Sequence, residues 1–403
     1  MTAGTSDLQQ REAGWRKYAR ATVLALALGA MSAQGAQAGD LAGDVRSASP
    51  PLAPPPLPPA PLGVFGADMP PAGKLVVSII PQFANFSHIL QGTRRVSSEE
   101  VVTTTPWFRS PTVKLRGAPQ NTAVATQTVS LAYGVTKDLA VVVTAGMAEK
   151  NLDFLTFKGA AGITRLGMSY TGTDSLTDFT ASAIYRVYQD PIHRIQVNLG
   201  MSFPTGGDHN TFTLLQADGT VATSRAFYPM QLGTGTFDIM PGVVYAGHLE
   251  QWSWGLSYRA RFPLTVNSQH VEGNLVQAAK DLLAAGMAFD QQGYRYGDLH
   301  EFNGWGGYTW IPGLTTTVRA YASLQGPIRG FDPNIRGKAQ AANPNFQGGQ
   351  RVELFGGATI SGKFIGYENL TLAIEAGVPV YQNLNGPQLS KNWQAGMALR
   401  LKI

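Results

Sequence analysis

Between residues 194 and 204 the odd positions are Ile195, Val197, Leu199, Met201 and Phe203, and between them lie Gln196, Asn198, Gly200 and Ser202. Between 252 and 264 the apolar set moves to the even positions, Trp252, Trp254, Leu256, Tyr258, Ala260, Phe262 and Leu264. Ser253, Gly255, Ser257, Arg259 and Arg261 fill the gaps. Between 370 and 380, Leu370, Leu372, Ile374, Ala376 and Val378 oppose Thr371, Glu375 and Gly377. Successive side chains of a β-strand point to opposite faces, so this period of two gives each segment one apolar and one polar face. Comparable segments cover 74–86, 123–133, 138–148, 178–189, 235–247, 297–310, 314–325, 350–360 and 392–403. Together they predict about twelve strands.

Composition decides what the apolar faces meet. Charged residues make up 14% of the 403, against about 25% in soluble domains. That deficit points to a membrane, yet the longest apolar stretch, 21–30, is about half the length of a spanning helix. Without a helix, only a closed sheet satisfies the backbone in lipid. The sequence therefore predicts an all-β fold, a transmembrane antiparallel up-and-down β-barrel. Connections support it: 134–137, 190–193, 248–251, 311–313 and 361–369 are short, whereas 87–122, 149–177, 205–234, 265–296, 326–349 and, less so, 381–391 are long. A soluble β-sandwich would also bury apolar faces, but it does not predict that alternation. Nor does it predict aromatics at strand ends. Tyr133, Tyr188, Tyr245, Trp252 and Trp310 fall near the short turns, and Phe203, Tyr381 and Trp393 at the opposite rim, as in an interfacial girdle.

Other segments outline the chain's organisation. A basic stretch to Arg20, the apolar 21–30 and Ala36-Gln-Ala38 read as a cleaved export signal over 1–38. Residues 39–65 hold a proline-rich run expected to be an extended, disordered linker, leaving 66–403 as an outer-membrane barrel. Residues 392–403 alternate up to Ile403, as in a closing strand of the kind outer-membrane assembly machinery recognises, although a terminal aromatic is more usual there. Membrane lipid, that machinery and a small-molecule solute are the expected partners. The net charge of +5 is scattered, so nucleic-acid binding is not expected. With no cysteine in the chain, disulfides, Cys-ligated metals and thiol nucleophiles are excluded.

If the apolar faces meet lipid, the polar faces line the lumen. The pore-lining candidates are Arg186, Asp238, Arg259, Arg261, Glu301, Arg319, Arg351, Glu353, Glu375 and Arg400, with Lys402 beside them. Bases outnumber acids, which suits a pore favouring anions or polarisable solutes. Equally, the same residues could form cross-strand pairs that hold the barrel. No catalytic residues, metal ligands or cofactors are assigned. None of His88, His193, His209, His248, His270 and His300 is expected on an outward or rim position beside a strand serine, and no G-x-S-x-G, H-E-x-x-H or P-loop motif occurs. Apolar residues at near-helical spacing over 275–287 predict a short helix at the mouth, gating or simply capping it.

Four segments carry a family resemblance: Gly-Ala-Asp-Met-Pro-Pro-Ala-Gly-Lys-Leu-Val-Val-Ser at 66–78, Tyr-Gly-Val-Thr-Lys-Asp-Leu at 133–139, the Gly- and Pro-spaced 228–242, and Pro-Val-Tyr-Gln-Asn-Leu-Asn-Gly-Pro-Gln-Leu at 379–389. In 228–242, Gly233 and Gly235 relieve crowding where the chain re-enters the wall, and Pro241 predicts a bulge. The chain resembles the meta-pathway phenol-degradation family of outer-membrane proteins, often called transporters. The family pattern has a histidine beside the aspartate where this chain has Met69. The resemblance implies a barrel that passes small molecules, aromatic or hydrophobic ones among them. The expected function is therefore an outer-membrane channel, porin-like and non-enzymatic, working by passive diffusion through a charged lumen. A structural or surface-binding barrel with a closed lumen is the alternative.

Overall fold

A computed structural model of the chain describes residues 58–267 and 293–403. The expected signal, the linker up to residue 57 and the expected helix at 275–287 fall outside the described residues. Eleven antiparallel strands form the wall: β1 (Leu75–Gly92), β2 (Gly117–Gly134), β3 (Leu139–Phe157), β4 (Phe179–Gln189), β5 (His193–Phe203), β6 (Asp238–Leu249), β7 (Trp252–Pro263), β8 (Leu299–Ile311), β9 (Leu314–Gln325), β10 (Gly349–Ser361) and β11 (Leu370–Lys402). Each pairs with its neighbour in sequence, and β11 pairs with β1 to close the ring. The last strand is 33 residues long. Residues 371–384 run antiparallel to β10, and 384–402 run antiparallel to β1. It thus crosses the wall twice, reversing near Leu384, so the ten other strands and these two passes make twelve crossings. Closure leaves no edge, so every wall amide has a ladder partner available without water.

The alternation comes out as expected. Val129, Leu131, Val197, Leu199, Leu256, Val318, Leu354 and Val378 all project from the outer surface as exposed side chains. Such a continuous exposed apolar band is stable only against lipid. Tyr133, Tyr188, Trp252 and Trp310 ring it at the short-turn rim, with Tyr381 and Trp393 at the other. Short turns at 135–138, 190–192, 250–251, 312–313 and 362–369 close one end. In the two-residue turn at 312–313 Gly313 takes φ +104, a conformation that side-chain-bearing residues rarely adopt.

At the other end β1, β2 and β3 are longer than the alternation suggested. The outward face of β3 explains why: Val141, Val143, Ala145 and Met147 are followed by Glu149, Asn151 and Asp153. The apolar band stops at Met147, and the strand continues into water, paired there with a strand at Arg165–Leu176. Long connections fold together over this end. Leu152 and Phe154 of β3, Phe212, Phe227, Tyr228 and Met230 of 204–237, Tyr294 of 264–298 and Ile328 of 326–348 form one buried cluster. The first long connection, read from sequence only as exposed, contains a helix at Ser98–Thr104 whose Val101 and Val102 are buried. It also supplies Arg109, whose guanidinium donates to the carbonyls of Asp332, Pro333 and Ile335 at 3.1, 2.7 and 3.0 Å.

Replacing a mid-strand outward residue with a charge tests the lipid assignment. Val318→Arg, at a position 65% exposed on β9, should lower the folding free energy into bilayers by about 2–4 kcal/mol. Ala161→Arg, in the connection after β3, should change it by less than about 0.5 kcal/mol. Urea titrations in liposomes measure both.

Candidate functional site

Most of the charged residues named from the sequence as pore-lining candidates are paired with other side chains. Arg319 donates from Nε and Nη2 to Glu375 at 2.9 and 2.7 Å, and from Nη1 to Asn303 at 2.7 Å. Both partners are almost completely buried, and the guanidinium lies 4.1 Å over the ring of Phe355. Arg261 is in close contact with Asp238 and reaches Asp178 at 3.4 Å. Glu353 accepts from Lys391 Nζ at 2.8 and 3.1 Å. Glu301 accepts from the Tyr321 hydroxyl at 2.7 Å. Arg186 sits 3.9 Å from Asp138 at a short turn, and Arg400 lies 3.3 Å from Asp68. Lys402 is exposed at the rim. Arg259 stacks 4.0 Å over Phe65, and Arg351 has no hydrogen-bond or ion-pair partner among the described residues. Pairing with carboxylates thus accounts for most of these charges and leaves Arg259 and Arg351 without a carboxylate hydrogen-bonded to them among the described residues.

Residues 58–68 enter the barrel from the short-turn end, so the last part of the proline-rich run is packed inside the wall. Arg194 donates to the carbonyl of Ala67, and Asn198 packs against Gly66. Val64 and Ala67 form a buried cluster with Val244 and Trp305. Gly63 lies against the guanidinium of Arg319, where any Cβ would stand 2.4 Å away, and Gly66 takes φ +79. Contacts with β5, β6, β7, β8, β9 and β11 mean that this short segment touches about half of the inner circumference. It can do so because a twelve-strand lumen is narrow.

Above the segment the lumen opens into a cavity of about 450 Å³. Its walls are mainly apolar, with Phe86, Val124 and Leu152 from the strands, Phe227 and Met230 from the covering loops, and Leu389 from the turn of β11. Three cations also line it, Lys150, Arg351 and Lys391, and among the described residues no Asp or Glu does. Lys150 stands just beyond the apolar band, where its Nζ donates to the carbonyls of Pro229 and Gln231 at 2.7 Å each. Enclosure strips water from the ammonium and lowers its pKa to about 8.

Lys150, Lys391, Arg194 and Asp68 were not among the sequence candidates. Lys150 has inward parity, but the expected strand stopped at 148. Lys391 shares odd numbering with the outward Trp393 and Met397, so simple alternation puts it in lipid. A register shift between Asn85 and Phe86 pairs Lys391 with the inward Phe86 and reverses its face. Of the histidines, His300 lies on the outward face of β8, opposite Ala260. Its ring bonds the Tyr258 hydroxyl at 2.9 Å, not a serine.

No protein-family model matches the sequence, and no curated protein matches it. Among solved structures, an outer-membrane channel from Pseudomonas putida F1 is similar with TM-score 0.52 at 12% identity, over 84% of this chain and all of that one. The toluene transporter TodX of Pseudomonas putida aligns with TM-score 0.40 at 8% identity, covering 83% of this chain and 91% of that one. The translocator domain of the autotransporter NalP from Neisseria meningitidis gives 0.42 at 10%, covering 82% and 88%. The chain has the fold of an outer-membrane β-barrel.

Two measurements examine the inner charges. Glu375→Gln leaves the buried Arg319 without its carboxylate and should cost about 3–5 kcal/mol in urea unfolding. A cost below about 1 kcal/mol would mean that water screens the pair. Competitive acylation should titrate Lys150 near pH 8, about two units below an exposed lysine, with reactivity rising as the neutral amine forms. Lys150→Met should remove that labelled peptide.

Proposed function

We propose that this chain is an outer-membrane transporter for small, largely apolar molecules, taken up by diffusion through the mainly apolar cavity in its lumen and not through a wide aqueous pore. The observation that carries this reading is the 450 Å³ cavity with mainly apolar walls, lying between the inserted segment 58–68 and the loop cluster. Burying apolar surface against those walls is favourable by about 25 cal/mol per Å², which favours an apolar solute over a hydrated one. The family resemblance in 66–78, 133–139, 228–242 and 379–389 supports aromatic compounds as the solute class. The likeness of fold to a channel from Pseudomonas putida F1 fits the same reading. Residues 1–38 would act as the cleaved export signal, 39–57 as the tether, and 392–403 as the strand offered to the assembly machinery.

A closed structural barrel is favoured by the buried Arg319–Glu375 pair but leaves the cavity without a role. Proteoliposome uptake separates the two readings. The transporter should admit a small neutral aromatic such as toluene faster than protein-free vesicles do, while excluding disaccharides. Deleting 58–68 should raise single-channel conductance several-fold. Free disaccharide flux through the intact protein would overturn the enclosed-cavity reading, and absence of aromatic uptake would leave the structural barrel.

A further inference from the structure

We propose that the cavity selects amphipathic anions, molecules with an apolar body and one carboxylate or comparably small anionic head, and that Arg351 receives the head. The proposal rests on the uptake reading above and narrows its solute class. Its basis is a charge imbalance confined to one enclosure. The mainly apolar wall carries Lys150, Arg351 and Lys391 and, among the described residues, no carboxylate.

The three cations are not equivalent. Lys391 is neutralised by Glu353, which meets its ammonium with both oxygens at 2.8 and 3.1 Å. Lys150 spends two of its three donors on backbone carbonyls, and these leave its charge uncompensated. Arg351, third residue of β10, lies opposite Ser323 on one neighbouring strand and Gln382 on the other. The Gln382 side chain is engaged with the backbone of Lys391, accepting at 2.9 Å and donating at 3.0 Å. Glu353, the acid nearest in sequence, is hydrogen-bonded to Lys391 and acts on Arg351 only through its charge. Arg351 Nε is buried with no partner, and among the described residues no hydrogen bond reaches its terminal nitrogens.

A guanidinium in a largely apolar site with no carboxylate hydrogen-bonded to it is costly, and a carboxylate that docks on its planar fork in two parallel bonds reduces that cost. Gln340, fully buried in the same wall, has both amide atoms without a partner and adds a neutral donor. Phe86, Leu152 and Phe227 supply the surface for the body of the solute. A neutral hydrocarbon uses that surface and leaves Arg351 as it was. An anionic one uses both.

The test compares 4-butylbenzoate with its uncharged isostere 4-butylbenzamide, by titration calorimetry at pH 7 on the intact protein in lipid nanodiscs, with empty nanodiscs subtracted. The wild type should bind the benzoate at least tenfold more tightly than the benzamide. Arg351→Gln should bring that ratio near one, chiefly by weakening the benzoate, and Arg351→Lys should restore part of it. Equal affinities in the wild type would overturn the proposal and need no variant to fold. A ratio kept in Arg351→Gln would overturn the assignment to Arg351. If neither compound binds, the cavity is no solute site, and the uptake reading falls with the proposal.

Discussion

Closing a sheet in lipid is the constraint on which the rest of this molecule depends. Hydrocarbon offers no hydrogen bonds, so the wall must satisfy its own amides around a full ring, and it does so by returning β11 to β1. Once closed, the ring sorts side chains by parity. Apolar residues take the outside, and the chain's sparse charges are left at the rims, in the loops or inside. In so narrow a lumen charges cannot stay fully hydrated, so they pair. Arg319 with Glu375, Arg261 with Asp238 and Lys391 with Glu353 are what inward arginines, a lysine and carboxylates do when water is scarce.

The inserted segment follows from the same scarcity. The carbonyl of Ala67 and the ring of Phe65 give Arg194 and Arg259 something to face. Its glycines allow backbone to approach guanidinium closely, at Gly63 most of all. With the short-turn half of the lumen filled in this way, the space that remains lies toward the long connections. There the loop cluster supplies apolar cover, and among the described residues Lys150 and Arg351 stand at the cavity without a carboxylate hydrogen-bonded to them.

Much of this was legible beforehand. Positions 195–203, 252–264 and 370–378 announced strands and faces directly, since a period of two has few other readings. Parity placed Arg319, Glu375, Arg261 and Asp238 inside. It failed for Lys391 because one register shift between Asn85 and Phe86 reverses which neighbours face the lumen, and a bulge leaves no mark in hydropathy. It missed Lys150 because the outward face of β3 turns polar after Met147, which resembles the end of a strand although pairing continues to Phe157.

By itself, the sequence determined a closed, lipid-facing barrel and the number of wall crossings, because alternation and charge content are local properties that closure merely adds up. Only the tertiary structure decided which charges neutralise each other, that residues 58–68 lie within the lumen, and that a cavity with an unpaired Arg351 remains. Those outcomes depend on register between strands and on contacts between residues hundreds of positions apart, such as Asp68 with Arg400, which no periodicity encodes.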